Sequence, residues 1–109
     1  LKNSEYKSHE SEAKAAIVKL ESIEKWKTLS RSNSIDSINA YISKYPNSPK
    51  LEDAKLRIHQ LKGVQYSRNG DLKSAFNEFT SAGGRSALDV ANRDMYDKAN
   101  EYNEYLRVK

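Results

Sequence analysis

Apolar residues recur along this chain at steps of three and four, separated by polar positions. The first stripe is Ala13, Ala16, Ile17, Leu20 and Ile23. A second runs Ile35, Ile38, Tyr41, Ile42 and Tyr45, and a third Leu51, Ala54, Ile58, Leu61 and Val64. The fourth is Leu72, Ala75, Phe76, Phe79 and Ala82; the fifth is Leu88, Ala91, Met95, Ala99, Tyr102 and Leu106. Each stripe marks one face of a helix with 3.6 residues per turn, and none keeps the alternation of a half-buried strand. Breakers stand between them: Pro46 and Pro49 in Tyr45-Pro46-Asn47-Ser48-Pro49, Gly70, the pair Gly83-Gly84, and the short polar run Ser30 to Ser34. Such residues interrupt helices or compete for their hydrogen bonds. The pattern predicts five helices, at about 6–30, 34–45, 49–68, 71–82 and 86–107.

The predicted starts carry capping residues. Ser34 and Asp71 can accept from the free N–H groups of a first turn, and Ser86 is placed to do the same after Gly83-Gly84. Pro49 after Ser48 suits a first helical position, whose N–H is orphaned in any case. Glu52 and Asp53 follow where the helix dipole favours negative charge.

Sliding the chain by 37 residues puts Leu51, Ala54 and Ile58 on Leu88, Ala91 and Met95. It also puts Ile38, Ile42 and Tyr45 on Ala75, Phe79 and Ala82, and Ser34 on Asp71. A slip of 38 puts Ala13, Ala16, Leu20 and Ile23 on Leu51, Ala54, Ile58 and Leu61. Long and short helices therefore alternate with a period that marks stacked helical hairpins. The predicted fold is all-α: a right-handed stack of about two and a half antiparallel helical hairpins. One helical-repeat domain covers 1–109, with hairpins 6–45 and 49–82 and a terminal helix 86–107. Leu1 reads as a cut edge, so the domain is expected to belong to a longer protein.

The stretch Gly63-x-x-Tyr66-x-x-x-Gly70-Asp71-x-x-x-Ala75-x-x-x-Phe79-x-x-Ala82 resembles the tetratricopeptide repeat. The resemblance implies that Gly63 and Ala75 let two helices approach closely, that Tyr66 and Phe79 fill the gaps between them, and that Gly70 makes the turn. His59, Lys62 and Ala87 stand where that family has an aromatic residue, Leu and Pro. Residues 26–61, with Trp26, Ile38, Tyr41-Ile42, Tyr45-Pro46-Asn47-Ser48-Pro49, Asp53-Ala54 and Leu61, are similar to degenerate helical hairpins of bacterial cell-envelope proteins. Examples are the Tol-Pal coordination protein and the lipoprotein of the outer-membrane barrel assembly machinery. This second resemblance favours the periplasm or cell envelope.

Composition narrows the functional classes. The 109 residues hold 19 Lys and Arg against 15 Asp and Glu, a net charge of +4. The basic excess is interleaved with acids, as on a solvated helical surface, and nucleic-acid binding along Lys44, Lys50, Lys55, Arg57 and Lys62 is the weaker reading. No apolar run approaches the ~20 residues of a membrane span. The absence of cysteine excludes disulfides and thiolate metal sites. His9-Glu10 lacks a second His four residues on, and His59 stands alone, so neither makes a zinc motif. Gly83-Gly84-Arg85-Ser86 reads as a helix terminator followed by a cap, although a helix start there could also hold an anion.

The expectation is a non-enzymatic protein-interaction module with no cofactor, no metal and no small-molecule substrate, whose partner is a protein or peptide. In the register implied by the tetratricopeptide resemblance, Arg57, Gln60, Val64 and Ser67 face the concave surface. The 37-residue slip adds Asp94, Asp97, Glu101 and Glu104. The alternative is a structural spacer within a larger envelope protein, with no ligand of its own. Tyr96 and Tyr105 fall off the fifth stripe; they are candidates either for an exposed partner surface, since Tyr is enriched at binding hot spots, or for cover by chain following Lys109.

Overall fold

Each predicted stripe lies on or beside an α-helix in the computed structural model, which describes residues 2–108 and, for side chains, residues 11–108. The helices are α1 (Lys2–Leu29), α2 (Ile35–Lys44), α3 (Leu51–Arg68), α4 (Leu72–Ser81) and α5 (Val90–Val108), with a short 3-10 turn at Arg85–Ala87. Among the described residues there is no strand, and the fold is all-α. By packing, the chain divides into two compact units, residues 1–54 and 55–109, with the division inside α3.

In the first unit, α2 lies against the C-terminal half of α1. Ser22 and Trp26, one turn apart, are buried, as are Ile38, Tyr41 and Tyr45. The Trp26 and Tyr41 rings sit 5.6 Å apart and the Tyr41 and Tyr45 rings 5.2 Å apart. Tyr41 Oη donates to the Ser22 carbonyl at 2.6 Å and lies 2.9 Å from Ser48 Oγ. Ser22 is tolerated in this apolar setting because its hydroxyl donates to the Lys19 carbonyl at 2.7 Å. Ser34 caps α2 as expected, accepting from the Ser37 N–H at 3.2 Å. Ser48 Oγ accepts from the Lys50 N–H at 3.0 Å, but α3 begins at Leu51. Pro49 therefore lies in the turn before the helix rather than at its first position.

The first stripe is corrected by the structure. Ala13, Ala16, Ile17 and Leu20 are exposed, and Ile23 is only half-buried. At about 100° per residue, Ala13 and Leu20 point some 160–180° away from Ser22, which faces the contact with α2. The 28 residues of α1 reach about 42 Å, whereas the 10 residues of α2 reach about 15 Å. The short partner covers one end of the long helix, on the opposite face from the stripe.

In the second unit, Gly63 of α3 meets Phe79 of α4. A Cβ at Gly63 would stand 2.5 Å from the Phe79 ring, so only glycine permits this approach. Gly70, at φ +80°, ends α3, and its N–H bonds to the Ser67 carbonyl while the Asp71 N–H bonds to Tyr66. Asp71 then caps α4, accepting from the Ser74 N–H at 3.1 Å. Hydrogen bonds from the Ser74 side chain, and next its backbone, hold the Asp71 carboxyl below its ordinary value. The core comprises Ala75, Phe79, Leu88 and Ala99, with Val64, Phe76, Met95 and Tyr96 packed against it.

The predicted start of the last helix at 86 is also corrected. Gly83 and Gly84 have φ of +112° and +81°, and the Gly84 N–H closes α4 on the Phe79 carbonyl at 3.0 Å. The chain then makes the 3-10 turn, runs extended through Leu88, and becomes helical only at Val90. Ser86 lies inside the 3-10 turn instead of capping α5. The detour inserts Leu88 into the core, where it is 3% exposed. A helix running straight from 86 would hold Leu88 in the backbone direction of α5.

Candidate functional site

The eight residues picked out by the repeat register all belong to the second unit, and the structure gives them unequal roles. Arg57, whose side chain is 14% exposed, donates to Gln60 Oε1 at 3.2 Å and lies 3.8 Å from the Asp89 carboxylate. Gln60 Nε2 donates to the Ala87 carbonyl at 3.1 Å. Together these two side chains of α3 fasten the segment that leads into α5. Val64 packs against the core, and Ser67 is half-buried. The α3 members of the set are thus engaged with their own unit.

The α5 members differ. Asp94, Asp97, Glu101 and Glu104 are all exposed. Their steps of three, four and three place them within about 80° of arc. Met95, Tyr96 and Ala99, which face the core, lie on roughly the opposite side of the same helix. Asp97 accepts from Arg85 Nε at 2.9 Å and Nη2 at 3.4 Å, a forked pair between two half-exposed side chains. Hydrogen bonding to Asp97, and then its charge, raises the Arg85 guanidinium above its ordinary value, with Asp94 adding to the effect. Glu104 accepts from Arg107 Nη1 at 3.3 Å, one turn away.

The aromatic assignments need three corrections. Tyr96, expected off the packed face, stands 5.8 Å from the Phe76 ring and 6.3 Å from the Phe79 ring. Met95 and Ala99 of the fifth stripe do face the core, which is wide enough to take Tyr96, about 60–100° around the helix from them, as well. Tyr66 and Tyr102, expected between helices, are 37% and 40% exposed. Tyr102 stacks on Tyr105 at 6.4 Å along the outer side of α5. Tyr105 is exposed.

His59 Nδ1 lies 2.6 Å from Glu78 Oε2, a half-buried contact that ties α3 to α4. Among the described residues no three His, Asp or Glu side chains converge as a metal site. The side chains of His9 and Glu10 lie outside the described residues. Among the described residues no helix is long and apolar enough to cross a membrane. The feature that sequence periodicity hid is the outward flank of α1, where Ile17, Val18 and Leu20 are 55%, 49% and 64% exposed. Ile17 and Leu20 form one side of an open cleft completed by Lys44 and Tyr45 of α2's end. Compared with protein-family models, with curated proteins and with solved structures, the chain matches none.

Proposed function

We propose that this chain is a non-enzymatic protein-interaction module of tetratricopeptide-like helical hairpins, and that it holds a basic or mixed-charge peptide along α5. The observation that carries this reading is the four-carboxylate face of Asp94, Asp97, Glu101 and Glu104, exposed on a helix whose other side is anchored by Met95, Tyr96 and Ala99. The close Gly63–Phe79 approach, the Gly70 turn and the buried Ala75 and Ala82 support the hairpin part of it. Arg57 and Gln60 act here as props for the approach to α5 rather than as ligands, because both are spent on bonds within the unit.

Rim charges of this kind contribute roughly 0.2–1 kcal/mol each and are screened by salt. A lysine-rich peptide is therefore expected to bind modestly, with affinity falling as salt is added. The test is fluorescence anisotropy with such a peptide against the chain and a variant carrying Asp94→Lys, Asp97→Lys and Glu101→Lys. The variant should keep its circular dichroism spectrum and lose binding. Retained affinity in the folded variant, with loss on changing Lys44 or Asn77, would overturn the placement. If the unaltered chain binds no such peptide, the spacer reading takes its place.

A further inference from the structure

The exposed stripe of α1 is self-complementary, and we propose that it pairs with the same stripe of a second copy of this chain, antiparallel. Residues 12–21 read Glu-Ala-Lys-Ala-Ala-Ile-Val-Lys-Leu-Glu, and their charges and apolar positions are symmetric about the midpoint between Ala16 and Ile17. When two such helices run in opposite directions about that midpoint, Ala13 lies opposite Leu20 of the second copy. Ala16 lies opposite its Ile17. Small thus meets large at every level, which is how helices approach closely without leaving voids. All four residues are exposed within one chain.

The flanking charges select the antiparallel direction. At about 100° per residue, Glu12 and Lys19 stand on one side of the stripe, and Lys14 and Glu21 on the other. A two-fold axis brings like sides together, as in any isologous interface. Glu12 then lies beside Lys19 of the second copy, and Lys19 beside its Glu12. On the other side Lys14 and Glu21 are matched in the same way. A parallel pairing in register would instead set Leu20 on Leu20 and Ala13 on Ala13, leaving a gap at one end. The buried contact with α2 is centred on Ser22 and Trp26, and the end of α2 at Lys44 and Tyr45 only borders the stripe across an open cleft, leaving Ile17 and Leu20 more than half exposed.

Two helical turns make a small interface, so the association is expected to be reversible, with a Kd on the order of 100 µM. Sedimentation velocity of the full chain from about 10 µM to about 1 mM would show monomer giving way to dimer. Leu20→Glu should weaken the dimer at least about tenfold, with an unchanged circular dichroism spectrum. Glu12→Lys alone and Lys19→Glu alone should each weaken it. The Glu12→Lys/Lys19→Glu double variant should restore it, and so should mixing the two single variants, because each cross-pair is then opposite in sign. A chain that stays monomeric to 1 mM overturns the proposal and leaves the face to another occupant. Association that is indifferent to Leu20→Glu, or singles that neither the double variant nor mixing rescues, overturns it too.

Discussion

Phe79 and Gly63 show how one small residue sets the place of a large one. Phe79 is fully buried, and its ring occupies the space that a Cβ on Gly63 would need. Phe79→Ala should therefore cost about 3–5 kcal/mol in urea denaturation, the range for deleting a buried Phe. A loss under about 1 kcal/mol is what a surface site would give, and would contradict its position. Gly63→Ala sets two effects against each other. The substitution gains about 1 kcal/mol of helix propensity. It also drives a methyl into the Phe79 ring, and overpacking of this kind costs about 1–3 kcal/mol. We expect net destabilisation, partly recovered when Phe79→Leu is added to make room. A stabilised Gly63→Ala variant would show that the ring moves freely.

At the scale of the element, the caps decide where helices begin. Ser34→Ala removes the oxygen that accepts the Ser37 N–H and should cost about 0.5–2 kcal/mol, measured by the same denaturation. Asp71 makes the equivalent contact with a group that titrates. Its carboxyl is held below its ordinary value of 3.8 by hydrogen bonds from Ser74. A carboxyl lowered in the folded state adds stability that is fully present above its unfolded value and is lost as pH falls through its folded value. The advantage of the native chain over Asp71→Ala should thus be constant near neutral pH and shrink below pH ~4. A difference that stays level down to pH ~2 would mean that the cap works without its charge.

Across the whole molecule, order should follow packing rather than helix length. α1 is the longest helix, yet residues 11–20 bury no side chain, whereas α4 buries Ala75 and Phe79 and is followed by buried Ala82. Regions with few buried contacts open locally at low free energy. Amide hydrogen exchange should be fast through residues 11–20 and slow across 75–82 at low protein concentration. Equal protection in both segments would show that α1 is held by contacts beyond those of its own chain, even when dilute. Protection of 13–20 that rises with concentration is the pattern expected of the antiparallel pairing.

Local properties were legible in the residues themselves. Periodicity located the helices, Gly70 and Gly83-Gly84 marked the breaks, and Ser34 and Asp71 were readable as caps, because these effects act within one or two turns of chain. The acidic face of α5 was legible for the same reason: four carboxylates at steps of three and four share a side wherever the helix lies. What a stripe touches was not legible, because burial depends on a partner's reach. Periodicity assigned Ala13, Ala16, Ile17 and Leu20 to a core, but α2 is too short and sits on the opposite face, so they remain outside. Tertiary packing also drew Leu88 out of the last helix and turned Tyr96 inward, since the core had to be closed around Phe79. It spent Arg57 and Gln60 on fastening the approach to α5, through an Ala87 carbonyl that lies 27 residues from Gln60 and leaves no trace in local spacing.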